Sequence, residues 1–250
     1  NTDSFNLIEK GSLGTCWYGK YHYIEPWAGC AHDCAYCYAR HRSVVAGKLS
    51  ETGNAFENPA LLFPLDALIK KIREGVRENN VKILKLSRYT DFFTPSFVKD
   101  GTSAAVLEAL CETPVERIII TTKGAPDDNI FAVMKKYREK ISYNAAVKPE
   151  SAYKLEKGAP ETITRIEAAE RANRLGVKTT IHMDPLIPAF DGLESMPRFF
   201  AELKKRGLTR LMFSFLLLNE PIIASIQNAL DKSAMEKLLE RQGVVQDKLD

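Results

Sequence analysis

The chain has 250 residues, 45% hydrophobic and 27% charged, with 35 Lys and Arg against 32 Asp and Glu, a net charge of +3 and a sequence pI of about 8.5. This suits an ordinary soluble globular protein with room for one barrel-sized domain, and it lacks the strong basic excess that advertises a nucleic-acid binder. No apolar run reaches membrane-spanning length, no basic-then-apolar leader opens the sequence, and five cysteines with three clustered do not make a disulfide framework, so no membrane association and a cytoplasmic location are expected.

Residues 1–20 are Gly-rich and polar and read as an N-terminal extension, packed down by Trp17 and Tyr18. A first strand is expected over Tyr21–Pro26, then a cysteine-bearing loop, a helix over Tyr38–Lys48, and a turn-rich stretch from Ser50 to Pro59. Leu65, Leu68, Ile69, Ile72 and Val76 recur at helical spacing. Short branched runs at Val81–Leu86, Arg117–Thr121, Ile141–Val147, Val177–Met183 and Thr209–Leu216 read as strands. They alternate with helices over Ser103–Cys111, Asn129–Lys140, Glu161–Leu175 (stopped by Gly176) and Leu193–Arg206 (stopped by Gly207). Such alternation points to an α/β chain of parallel βαβ units with right-handed crossovers. From Pro221 to Asp250 the pattern is helical and still charged where the sequence stops, which suits a chain trimmed at that end.

The loop after the first strand carries Cys30, Cys34 and Cys37, spaced CxxxCxxC, in the setting Glu25, Pro26, Trp27, Gly29 before and Tyr38, Ala39, Arg40 after. Sulfur ligands select zinc, Cu(I) or iron-sulfur centres. A structural zinc site wants four ligands, and the fourth would come from His32, Cys16 or Cys111; a cluster held by three cysteines would instead leave one iron open.

The spacing, with Tyr36 just before the last cysteine, resembles the signature of the radical S-adenosylmethionine (SAM) superfamily. The flanks, from Glu25 to Arg40, are similar to the spore photoproduct lyase-like branch, also described as "DNA repair photolyase" proteins. The resemblance covers about Tyr21 to Leu217. It implies a partial (βα)6 TIM-type barrel, with residues 1–20 as extension, 21–217 as radical SAM core and 218–250 as a helical segment covering one end. It also implies that Cys30, Cys34 and Cys37 ligate three irons of a 4Fe-4S cluster, that S-adenosyl-L-methionine chelates the fourth, and that a reductant such as flavodoxin or ferredoxin supplies the electron. Reductive cleavage then yields a 5'-deoxyadenosyl radical that abstracts hydrogen from a substrate.

Reacting groups of parallel barrels sit after the C-terminal ends of strands. That rule selects Ser87, Arg88, Tyr89 and Asp91 after the second strand, Thr121, Thr122 and Lys123 after the third, Ser142 and Asn144 at the fourth, and His182 and Asp184 at the fifth. By resemblance Tyr36 lies near the adenine, Lys123 and Ser142 match cofactor-contacting positions, and Ser87, Asn144 and Asp184 join them as cofactor-binding candidates. Glu156 and Arg165 match the family's Glu-Pro and Arg positions, with Lys157 in place of the proline; Arg165 could hold a carboxylate or be a surface residue. The catalytic candidates are Tyr38, Tyr89, Asp91 and His182.

Two departures from the branch stand out. The Gly-Gly-Glu-like turn after the second strand is absent, and Arg88 and Tyr89 stand where the lyases keep a hydrogen-donating cysteine. Tyr38 matches the tyrosine after the third cysteine but cannot replace that thiol. The substrate is therefore a nucleic acid or nucleotide on one reading. On the other it is a peptide or small metabolite, since no aromatic-basic strip for stacking bases is visible; a non-catalytic metal-binding module is a third possibility. Cys111 falls on an apolar helix face and reads as core, Cys16 as core or as a thiol near the site, and His32 as a hydrogen-bond donor beside the cluster. His182 and Asp184 share one side of their strand, either as barrel-mouth contacts or as a structural pair. The basic pairs on late helices read as solvated faces.

Overall fold

The structure, a computed structural model, describes residues 6–16, 19–150 and 154–242. Its frame is a seven-stranded sheet. The first strand, β1 (Ile8–Cys16), runs antiparallel to β2 (Gly19–Ile24). A short β3 (Trp27–Ala28) follows, then a 3-10 turn over Tyr38–His41, helix α1 (Ser43–Thr52) and β4 (Ala60–Leu61), which pairs with β3. Next come α2 (Leu65–Glu78), β5 (Ile83–Leu86), α3 (Pro95–Lys99), α4 (Thr102–Cys111), β6 (Arg117–Thr122), α5 (Asp128–Lys136), β7 (Ile141–Ala145), α6 (Thr162–Arg174) and β8 (Lys178–Leu186). The described chain closes with α7 (Met196–Lys205), β9 (Leu211–Phe215), α8 (Glu220–Gln227) and α9 (Lys232–Gln242).

The sheet order is β1-β2-β5-β6-β7-β8-β9, and every pair after the first is parallel. Six parallel strands taken in chain order, each return made through helix, form the partial (βα)6 barrel; among the described residues no pairing joins β9 to β1. The sheet's outer face packs on the helices. Leu84, Leu86, Ile118 and Ile120 meet the Leu68, Ile72 and Val76 stripe of α2 and the Val106, Leu107 and Leu110 face of α4 in one continuous core. Spacing of apolar residues by three and four is what makes those helices one-sided.

Several elements differ from the sequence expectation. The stretch read as an extension supplies β1, whose register against β2 breaks between Lys10 and Thr15. Trp17 and Tyr18, and the side chain of Cys16, lie outside the described residues. The helix expected from Tyr38 is a 3-10 turn interrupted at an extended Arg42 before α1 begins. Asn129–Lys140 shortens to α5, which Asp127 caps by accepting from the Ile130 N–H at 2.9 Å. The C-terminal helices do cover one end of the barrel: Ile222, Ile226, Ala234, Met235 and Leu238 form a second apolar cluster with Cys34, Tyr36 and Leu155. No helix among the described residues is long and apolar enough to cross a membrane.

Candidate active site

Parallel strands deliver their C-terminal ends to one rim, and the cysteine loop follows β2 onto that rim. Gly29 enters the loop at φ +85°, and a Cβ there would meet the Phe56 carbonyl oxygen at 2.5 Å. Only glycine accepts both conditions. The next amide, Cys30 N–H, donates to that same carbonyl at 2.7 Å. Farther along, Ala35 N–H donates to Leu155 O at 2.8 Å, and Gly158 N–H to His32 O at 2.9 Å. Arg40 bonds Asp33 within the loop and reaches Glu57 at 3.3 Å, with its guanidinium 4.5 Å from the Phe56 ring centroid. Thr90 donates to Gly29 O from the opposite wall. The loop is thus tied from four directions, independently of any metal.

Cys30, Cys34 and Cys37 all open into one cavity of about 680 Å³ at the rim. The same wall includes Ser87, Arg88, Tyr89, Asp91 and Thr121 from the ends of β5 and β6, Lys123, and His182 and Asp184 from β8. Tyr38, Ser214, Phe215 and Ile222 complete it. The residues of β9 and α8 escaped sequence reasoning because only their strand or helix pattern, with no polar signature, was legible there.

Asp91 is the knot of the site. Its carboxylate lies 3.2 Å from His32 Nε2, and accepts from the Thr122 hydroxyl, from Lys123 N–H at 2.7 Å and from Phe93 N–H at 2.8 Å. Burial alone would raise this carboxyl, but the His32 and Thr122 contacts and the Lys123 amide more than offset it and hold it at about 2. The carboxylate oxygens of Asp91, a catalytic candidate by sequence, are engaged by protein partners where it lines the cavity. His32, whose Nδ1 is 3.3 Å from Gly158 O, is likewise engaged rather than free to serve as a fourth ligand. Cys111 is buried in α4 within the main core, where burial pushes its thiol up to about 12.

Tyr36 points away from solvent and donates to Glu156, which also accepts from Arg165 Nη1 at 2.8 Å. Lys148 stands 3.9 Å from Glu156 and 3.3 Å from Asp191, and Arg165 additionally donates to Ala146 O at 2.9 Å. Burial would raise the Glu156 carboxyl; the Lys123, Lys148 and Arg165 charges reverse that and hold it at about 2. Glu156 and Arg165 therefore form a buried ion pair behind Tyr36. They border a smaller cavity of about 380 Å³ and are not part of the described rim-cavity wall, and Glu156 supports the Tyr36 ring from behind. The surface alternative for Arg165 does not hold, because α6 turns it inward at 6% exposure.

Lys123 and Lys148 place their ammonium groups 5.6 and 5.4 Å from the Tyr36 ring centroid. Burial works against the Lys123 charge, but Cys34, Glu156, Asp91 and Asp184 together keep it firmly protonated. His182 Nε2 lies 3.6 Å from Asp184 Oδ2, and Ser214 donates to Asp184, while Met183 between them is buried. Strand alternation thus sends the pair to the rim cavity. Burial holds His182 below its ordinary value against Asp184, with Lys123 and Lys85 adding to the depression. Ser142 and Asn144 sit on the concave face of β7, Asn144 donating to Thr121 at 3.1 Å; neither belongs to the described cavity wall.

Aromatic and basic side chains also meet beside the cavity. Lys85 Nζ sits 3.9 Å from the Tyr21 ring centroid and 5.8 Å from that of Tyr23; the Arg88 guanidinium is 5.6 Å from Tyr23 and 4.9 Å from Tyr89. Tyr89 in turn meets Tyr38 at 6.2 Å. These contacts join β2, β5 and the cysteine loop, with Tyr21 and Tyr89 buried among them, so no single stretch of sequence displays them.

A partial parallel barrel whose cysteine loop opens three thiols into a rim cavity defines the class as an α/β barrel built around that loop. A model of the radical SAM superfamily matches residues 24–190, about two thirds of the chain. The chain belongs to the radical SAM superfamily. Its fold is similar to that of a spore photoproduct lyase double mutant holding AdoMet and the dinucleoside spore photoproduct, with TM-score 0.58, 16% identity, and coverage of 92% of this chain and 63% of that one. It is also similar to Streptococcus suis SuiB, bound to the precursor peptide SuiA (TM-score 0.54, 13% identity, 87% and 44% coverage) or to S-adenosylmethionine (the same values, with 47% of that chain). The chain spans less than two thirds of the length of the lyases it matches. No curated protein sequence matches it.

The family implies a 4Fe-4S cluster and SAM, and the residues present fit them. A structural zinc site takes four ligands at one ion, whereas the loop offers three thiols that face one cavity. A cluster instead takes each thiolate to a separate iron. Ser87 Oγ and His182 Nδ1 are buried at the cavity with no hydrogen-bond partner among the described residues, and a buried polar atom left so calls for a polar ligand.

Proposed function

We propose that Cys30, Cys34 and Cys37 hold a 4Fe-4S cluster at which SAM is cleaved, and that the substrate lies in the rim cavity as a nucleotide or nucleic acid. The carrying observation is that the three thiols share one cavity with Ser87, Lys123 and His182. When bound, the cluster passes one electron from a reductant such as flavodoxin or ferredoxin to SAM, giving methionine and a 5'-deoxyadenosyl radical. The chain's own part is positional. Tyr36, braced by Glu156, presents a rigid ring, while Lys123 offers a fixed positive charge and Asp91 locks the cysteine loop to the end of β6. Helices α8 and α9 pack over Cys34 and Tyr36 in one apolar cluster. Tyr38, Tyr89 and a neutral His182 stand on the wall that faces the substrate, with residues 21–217 as the catalytic unit, in a cytoplasmic setting.

The described cavity wall contains no thiol besides the three of the loop, so a cysteine hydrogen donor of the repair kind lacks a place there. That favours, as a second reading, radical modification of a peptide or small metabolite, the former being what SuiB is seen holding. Anaerobic reconstitution should give a brown protein with about one 4Fe-4S cluster per chain, and dithionite with SAM should then release 5'-deoxyadenosine. Changing any one of the three cysteines to alanine should abolish that release. A colourless protein that retains zinc would overturn the proposal. Deuterium transfer into 5'-deoxyadenosine from labelled DNA, nucleotide and peptide pools separates the substrate classes.

A further inference from the structure

Three cations in and around the rim have carboxylate partners, and Lys123 lies over the Tyr36 ring beside the cysteine loop. Arg165 is paired with Glu156 at 2.8 Å and Lys148 with Asp191 at 3.3 Å, while Arg40 holds Asp33. Two cations on the β2–β5 wall are different. Neither Lys85 nor Arg88 has a carboxylate within 4.0 Å among the described residues; each is packed only against tyrosine rings. They flank one ring, Tyr23, at 5.8 and 5.6 Å. Arg88 lines the cavity, and the shared Tyr23 ring sets Lys85 beside it at the border of that wall.

Arg88 is also held more firmly than an exposed arginine would be. Its N–H donates to the buried Glu25 carboxylate at 2.5 Å, and its carbonyl accepts from the Tyr38 hydroxyl at 2.6 Å. Fixing the backbone on both sides lowers the entropic cost of using the guanidinium as a binding group. Cation–π contact compensates a half-buried charge only in part, and a guanidinium fork matches carboxylate and phosphate oxygens.

We infer that Lys85 and Arg88 form an anion subsite on the β2–β5 wall, which takes a phosphate or carboxylate group of the substrate while the tyrosines flank its apolar or aromatic remainder. The inference rests on the rim cavity being the substrate site of the radical reaction, and it names the chemistry of that substrate as anionic.

The test is titration calorimetry of the whole chain with inorganic phosphate and, separately, with succinate. Wild type should bind at least one of them, and the tighter of the two identifies the group. K85M and R88Q should each weaken binding about tenfold, as loss of a charge-assisted contact does, with the double change abolishing it. R88K, which keeps the charge, should retain part of it; K70M, at an exposed residue of α2, should leave it unchanged. Circular dichroism of each variant separates lost binding from lost fold. Binding of neither anion by wild type, or equal binding by the double variant, would overturn the subsite. Weakened SAM binding with unchanged phosphate and succinate binding would assign the pair to the cofactor's own carboxylate and also overturn it. Release of 5'-deoxyadenosine by wild type is read separately: its absence would sink the radical proposal and leave the anion titration standing.

Discussion

Glu25 is fully engaged although it lies outside the cavity wall. Its carboxylate accepts from Arg88 N–H at 2.5 Å and Tyr89 N–H at 3.2 Å, at 2% exposure. Burial raises this carboxyl to about 7; the two amides and the Lys48 charge oppose the rise, and Glu9 adds to it. Because the folded value lies above the ordinary 4.5, the stabilising contribution is complete below pH 4.5 and lost as pH rises through 7. At about 1.4 kcal/mol per unit, the loss is on the order of 3 kcal/mol. Asp91 and Glu156, both held at about 2, act in the opposite sense and below this window. Urea denaturation from pH 4.5 to 8 should therefore show wild type weakening across the window and E25Q, which keeps an acceptor oxygen, weakening much less; parallel curves for the two would refute the assignment. Nothing in the sequence joins Glu25 to Arg88, 63 positions away. The acidic residue is legible, its burial and its partners are not.

At the level of elements, the cysteine loop depends on Gly29. G29A should cost about 1–3 kcal/mol from the left-handed backbone alone, and more because the new methyl meets the Phe56 carbonyl. G101A is the control: Gly101 has the same φ of +85° with open space around a Cβ. G29A should lower both the melting temperature and the iron retained after reconstitution, and G101A should lower only the former, slightly; equal effects of the two would remove the clash from the account. The six parallel strands and most of the helices were readable because long apolar periodicity marks them. The hairpin strand β1 was not, since Gly11 and Gly14 interrupt any alternation, and its space is shaped by a partner: a Cβ at Gly11 would strike the Tyr21 ring at 2.3 Å. Five-residue α3 is too short to show a period. The motif identified the cysteines at once; the roles of Glu156 and Arg165 needed the fold, because an ion pair hidden behind Tyr36 looks in sequence like two surface charges.

For the molecule as a whole, the barrel and the C-terminal helices are not independent. Ile226 is fully buried in the cluster that also contains Cys34 and Tyr36. Ile226→Ala removes packing worth about 2–5 kcal/mol, and it does so on the solvent side of the cysteine loop. Thermal denaturation should report the stability loss, and a reconstituted variant should surrender iron to a chelator faster than wild type. Unchanged chelation kinetics would mean that α8 does not guard the loop.

That arrangement also sets a timetable. The cysteines leave the ribosome about 180 residues before α8, an interval of roughly 10 to 40 seconds at about 5–20 residues per second. Throughout it the apolar cluster around Cys34 and Tyr36 lacks the residues that α8 and α9 contribute. Once the last helices dock, Cys34 and Tyr36 gain their apolar cover, so the packing of the loop is completed last in the order of synthesis.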